Sequence, residues 1–142
     1  MFSRRGVSGV ALIALAAPRS GEPRLVAPSA PIQAGQVVPL RIIAGPTGGI
    51  HVDGCAAVEL ERREGEVWRP VPSVGCDKAI AARVVDKDLT VSVPTQEPGE
   101  YRGVLAWGTS CAENLPFAVA GCAKTGFVRS DPFTVVSADA HP

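Results

Sequence analysis

The sequence is poor in the side chains that most enzymes use for chemistry. Its 142 residues include two histidines, one methionine and one tyrosine. A histidine-based triad or metal site would have to use His51 or His141. His51 lies near Asp53, and we interpret the two as a loop pair rather than as a base with its orienting carboxylate. The chain has no G-x-S-x-G, no phosphate-binding loop and no H-E-x-x-H. These absences favour a protein that is not an enzyme and that needs no cofactor or metal.

An excess of charge of one sign is also missing. Lys and Arg total 14, Asp and Glu total 14, and the formal net charge is zero. This balance argues against a nucleic-acid partner, which selects a basic surface. With 46% hydrophobic and 20% charged residues, the composition is that of a globular domain.

The first residues predict export. Arg4 and Arg5 precede an apolar stretch, Val7 to Ala17. This stretch is shorter than a membrane-spanning helix, which needs about 20 residues. Ala14-Leu15-Ala16 places small residues at both positions of a cleavage site. We therefore expect a signal peptide over residues 1–16 and a secreted or periplasmic protein without a transmembrane segment in its mature chain.

The remaining chain is predicted to form one domain with short flanking segments. Residues 17–34 are rich in Pro and Ala and are expected to be a lead-in with an edge strand near Leu25 and Val26. Residues 35–137 are expected to form the domain, and residues 138–142 a tail.

Short stretches with an apolar residue at every second position predict antiparallel strands. These stretches are Val38-Leu40-Ile42, Val58-Leu60 and Leu89-Val91-Val93. Turn residues such as Glu64-Gly65-Glu66 separate them at intervals of about ten residues. The 13 prolines and 15 glycines interrupt any helical pattern, so the prediction is an all-β sandwich.

The even number of cysteines predicts two disulfides in an exported chain. The four residues are Cys55, Cys76, Cys111 and Cys122. Of the three possible pairings we favour 55–76 and 111–122, since the first pair is symmetric about the turn at 64–66. The second pair is symmetric about a point beside Pro116. Each disulfide would then join the two strands of one hairpin.

Three stretches carry a family resemblance. Val58 to Arg62, followed by Gly65 and by Val67-Trp68, gives a strand, a turn and a tryptophan. Pro98 to Arg102 is similar to a corner at which a tyrosine hydroxyl bonds to main chain, and Ser130 to Val135 is similar to a last strand. Together they resemble bacterial immunoglobulin-like or fibronectin type III-like domains, over about residues 37–136. The resemblance implies an immunoglobulin-like antiparallel β-sandwich of about seven strands, although the family's Cys-Trp-Cys spacing is absent.

The few aromatic residues fall on predicted strands, where large rings usually fill the core. We expect Trp68, Tyr101 and Phe133 to be core residues. Trp107 precedes Gly108 and the last long loop, so it is also a candidate for lining a surface site.

That loop, residues 109–125, is the main candidate for function. It carries Leu115-Pro116-Phe117-Ala118-Val119 at its predicted tip, above the disulfide pair at its base. Because a closed loop loses less entropy on binding, we hypothesise that Leu115, Pro116 and Phe117, with Trp107, bind a protein or cell-wall polymer. The alternative is that the apolar run folds back as a lid over an open end of the sandwich.

A second hypothesis is peptidase inhibition through residues 45–49. Gly45-Pro46-Thr47-Gly48-Gly49 is similar to the Pro-Thr loop of chagasin-type cysteine-protease inhibitors. Gly45 stands where that family has Asn.

Overall fold

A computed structural model describes residues 21–45, 49–76, 79–95 and 97–139. Within these ranges the chain forms eleven β-strands and one short 3₁₀ turn. The predicted all-β class is therefore confirmed, and there are more strands than the seven expected. The predicted signal peptide, residues 1–16, lies outside the described residues.

The elements follow one another along the chain without an α-helix in the described ranges. They are β1 (Arg24–Val26), β2 (Ile32–Gln33), β3 (Val37–Ile43), β4 (Ile50–Val52), β5 (Val58–Glu64), β6 (Val67–Val71), β7 (Arg83–Val85), β8 (Leu89–Pro94), β9 (Gly99–Thr109), the 3₁₀ turn η1 (Phe117–Val119), β10 (Lys124–Arg129) and β11 (Phe133–Val136).

The smaller sheet has three antiparallel strands in the order β1-β3-β8. In β3 the alternating residues Val38, Leu40 and Ile42 are completely buried, because this strand is central and turns one face to the core. The predicted edge strand near Leu25 is β1, which pairs with β3. The sandwich therefore includes residues that precede position 35.

The larger sheet is built around β9, the longest strand. On one side, β9 pairs with β10 and β11, which lie end to end. On its other side, β9 pairs with β5 and β4, which also lie end to end. β6 and β7 extend the sheet beyond β5 and β4, and β2 runs parallel to β11. The interruption of the two strands that flank β9 accounts for two of the additional strands.

The two hairpins have the registers that the cysteine positions predicted. Glu64 pairs with Val67 across the β5–β6 turn, where Gly65 has a φ of 65°, and Thr109 pairs with Lys124 across the last loop. The disulfides are Cys55–Cys76 and Cys111–Cys122, with Cα–Cα distances of 5.7 and 3.9 Å. The favoured pairing is therefore confirmed.

The core lies between the two sheets and contains two of the three aromatic residues expected there. Tyr101 and Phe133 are buried, and their ring centroids lie 6.0 Å apart. The prediction for Trp68 was wrong: it is half-buried on the outer face of the larger sheet, and the Arg102 guanidinium lies 4.4 Å from its ring centroid. In β6 apolar residues occupy both alternating sets of positions, so the sequence does not determine which face is buried.

Candidate functional site

The loop between β9 and β10 is closed by covalent and hydrogen bonds. The Cys111–Cys122 disulfide joins its two arms just beyond the last paired residues, Thr109 and Lys124. Inside the disulfide, the Ala112 N–H donates to the Ala120 carbonyl oxygen at 2.8 Å. The disulfide and this hydrogen bond therefore both fix the base of the loop.

The tip of the loop is held against a neighbouring segment. The Ala82 N–H donates to the Leu115 carbonyl oxygen at 2.8 Å, and Ala81 forms an antiparallel bridge with Pro116. The same segment packs against Gly54, since a Cβ there would lie 2.1 Å from the Ala81 carbonyl oxygen. The backbone of the tip is thus fixed to a second part of the chain.

The fixed backbone leaves apolar side chains in solvent. Leu115 is 41% exposed and Val119 is 65% exposed, whereas Pro116 and Phe117 are half-buried. Ala120, which follows η1, is buried. The loop therefore combines an anchored underside with an exposed aliphatic surface.

Trp107 supports this loop from below rather than lining its surface. Its side chain is 3% exposed, and the Lys124 ammonium nitrogen lies 5.5 Å from the ring centroid. The ring covers Gly126 on the neighbouring strand, where a Cβ would lie 2.8 Å from the ring. Trp107 therefore belongs to the core at the base of the loop.

Ile80 and Phe127 are further apolar residues whose exposure the sequence does not predict. Ile80 is 49% exposed in the segment that contacts the loop tip, and Phe127 on β10 is 70% exposed. Phe127 alternates with Gly126 and Val128, which face the core side, so it lies on the outer face of the larger sheet. The strand pattern around Phe127 is consistent with either face, so the sequence carried no signal for its exposure.

A groove of about 500 Å³ separates the edge of β8 from the β5–β6 hairpin. Its apolar lining includes Val58, Leu60, Val71, Val91, Val93 and Tyr101. It lies between residues that are far apart in sequence, and it exists because β8 is the last strand of the smaller sheet within the ranges that the structure describes. Local sequence patterns therefore could not reveal it.

The expectation that His51 and Asp53 form a loop pair was wrong for His51, which lies on β4 and pairs with Val84 and Gly108. The Asp53 carboxylate accepts hydrogen bonds from the N–H groups of Cys55 and Ala56, both at 2.9 Å. Asp53 thus stabilises the turn that leads to Cys55, as expected for a loop residue. Over the described residues, no three His, Cys, Asp or Glu side chains converge as metal ligands would. In the same part of the chain, no helix has the length and apolar character needed to cross a membrane.

The central residues of the inhibitor-like loop, Pro46 to Gly48, lie outside the described residues. Its flanking glycines have a structural reason for their identity. A Cβ on Gly45 would lie 2.5 Å from the Glu22 carbonyl oxygen, and one on Gly49 would lie 2.7 Å from the Val85 carbonyl oxygen. Close backbone approach therefore requires glycine at both positions.

Comparisons with protein-family models, curated proteins and solved structures find no match to this chain.

Proposed function

We propose that this protein is an exported, non-enzymatic binding module of the immunoglobulin-like type, which contacts a protein or a cell-wall polymer through loop 109–125. One observation carries the proposal: Leu115 and Val119 are exposed on a backbone that a disulfide and hydrogen bonds to a neighbouring segment hold in place. Exposed apolar groups on a fixed loop bury surface on binding at a low cost in conformational entropy.

Two further features support the class and the location. The Tyr101 hydroxyl donates to the Glu97 carbonyl oxygen at 2.7 Å, which is the main-chain bond that the family resemblance implies. All four cysteines are paired, and disulfides persist in the oxidising environment that exported proteins meet.

A photo-crosslinking amino acid placed at position 119 tests the binding surface directly. The matched control carries the same amino acid at Val37, which is 55% exposed on the smaller sheet, far from the loop in sequence. On illumination in the native extracellular or envelope setting, we expect a discrete adduct from position 119 and none from position 37. Identical adducts from both positions, or no adduct from position 119, would contradict the proposal.

A double substitution separates the contact surface from a lid. If Leu115 and Phe117 cover an open end of the core, Leu115→Asp with Phe117→Asp should lower the melting temperature strongly. We expect instead a small change in melting temperature and loss of the adduct from position 119. Cys111→Ser with Cys122→Ser should weaken the same adduct, because a released loop must be ordered on binding.

A further inference from the structure

Among the described residues β3 alone pairs with β8, and the other, free edge of β8 displays a specific set of main-chain groups. The β3–β8 ladder ends at the pairing of Val37 with Pro94, and the Thr95 N–H one residue beyond donates to the Gln36 carbonyl oxygen. Because Pro94 has no N–H to exchange with Val37, this end pair is a non-hydrogen-bonded pair. In an antiparallel ladder such pairs recur at every second residue. Val93, Val91 and Leu89 therefore direct their main-chain groups at β3.

The residues between them direct their main-chain groups away from the sheet. Thr90 and Ser92 each present one N–H and one C=O to the free edge, and Pro94 presents a C=O alone. Proline at position 94 loses no hydrogen bond to β3, because its main-chain nitrogen faces the free edge. This agrees with its place on an edge strand. The edge thus offers two donors and three acceptors that β3 does not use.

The groove next to this edge has aliphatic side chains on two of its sides. Val91 and Val93 are half-buried along its β8 side. Val58, Leu60 and Val71 of the β5–β6 hairpin line the other side. A strand placed beside β8 would direct alternate side chains into this space, because side chains on a strand alternate between the two faces.

The charges around the groove are already matched. Arg62 pairs with Glu97 at 2.6 Å, and Arg69 pairs with Glu64 at 2.7 Å. The groove therefore has no excess charge that would attract a charged side chain, and a charge entering it would lose hydration without gaining a partner. Uncharged, aliphatic side chains complement these walls.

The shape of the groove favours a single strand over a second copy of this protein. The β5–β6 hairpin forms the far wall of the groove, opposite the edge of β8. A second copy that paired through its own β8 would bring its own β5–β6 hairpin into the same space. An extended peptide has no such hairpin behind it.

We propose that the edge of β8 binds an extended, uncharged peptide segment of a partner protein as an added strand, with alternate aliphatic side chains in the groove. This site is independent of the surface on loop 109–125, and the two can be tested separately.

A displayed library of random seven-residue peptides is a suitable probe. After selection on the full chain, we expect enriched sequences with aliphatic residues at alternate positions and no charge between them. The best peptide, synthesised, should slow amide hydrogen exchange at Thr90 and Ser92 in the unaltered protein. No enrichment, a charged consensus, or protection confined to other amides would overturn the proposal.

A matched pair of variants tests the main-chain contact. Ser92→Pro removes an N–H that faces the free edge and should weaken peptide binding at least tenfold, whereas Ser92→Ala keeps this N–H and should bind as the wild type does. Equal binding by both variants would overturn the proposal, and the exchange measurement decides it if Ser92→Pro does not fold. Leu115→Asp should leave peptide binding unchanged. Failure of the proposed peptide site at β8 is therefore distinguishable from failure of the proposed binding surface on loop 109–125.

Discussion

The hydroxyl of Tyr101 donates a hydrogen bond to the carbonyl oxygen of Glu97, four residues earlier, at 2.7 Å. The same turn is held from the other side by Arg62, which donates to the Pro98 carbonyl oxygen at 2.7 Å and pairs with the Glu97 carboxylate. The start of the central strand β9 is therefore fixed by its own tyrosine and by an arginine from β5.

Tyr101→Phe should destabilise the fold by about 1 kcal/mol, because it removes this bond while keeping the buried ring. The free energy of unfolding from urea titration would measure the change. A loss below about 0.3 kcal/mol would mean that water replaces the hydroxyl at no cost.

The ionisation of Tyr101 should make stability depend on alkaline pH. Burial raises the pKa of Tyr101 above its ordinary value of 10.0; the Arg62 charge acts in the opposite direction and the Glu97 charge adds to the increase. The unfolded chain thus loses this proton at a lower pH than the folded chain. The contribution of the neutral side chain to stability is complete below pH 10 and is lost as pH rises through the folded-state pKa.

Because the sequence contains one tyrosine, its phenolate absorbance reports this residue alone. We expect the titration midpoint of the folded protein to lie above that of the urea-unfolded chain. Tyr101→Phe should show a shallower decrease of stability over the same pH range. Coincident midpoints in the two states would contradict the expected shift.

Two phenylalanines near the end of the chain should respond differently to the same substitution. Phe133→Ala should cost about 3–5 kcal/mol, since it empties a buried site beside Tyr101. Phe127→Ala should cost less than about 1 kcal/mol, because the side chain is 70% exposed. Comparable losses in thermal unfolding would show that Phe127 is packed.

Gly108→Ala should destabilise the protein by about 2 kcal/mol through crowding of the second disulfide. An added Cβ would lie 2.6 Å from the Cys122 sulfur and 3.1 Å from the Cys111 sulfur. The same substitution in a chain with both of these cysteines replaced by alanine should cost clearly less, since the loop is then free to move. Equal costs in the two backgrounds, measured by thermal unfolding, would place the strain elsewhere.

The features that could be predicted from sequence are those set by neighbouring residues. The cysteine positions specified the two hairpin registers, because a hairpin pairs residues that are symmetric about its turn. The alternation of Val38, Leu40 and Ile42 likewise specified a strand with one buried face.

The features that could not be predicted depend on distant parts of the chain. Trp68 lies on the outer face because its partners there are Arg63 across the hairpin and Arg102 from β9. The groove beside β8 exists because no further strand pairs with β8 in the part of the chain that the structure describes. The anchoring of Leu115 depends on Ala82, which no local pattern links to the loop.

The position of β9 has a consequence for the order in which the protein assembles. In the sequence, β6, β7 and β8 lie between β9 and its partners β4 and β5. Each disulfide, by contrast, joins the two arms of a single hairpin. Both pairs of thiols can therefore meet before the long-range contacts exist, while closure of the larger sheet has to wait until β9 emerges. If the chain crosses a membrane from its N-terminus, as the proposed export requires, the Cys55–Cys76 bond can form before β9 is available to close the domain.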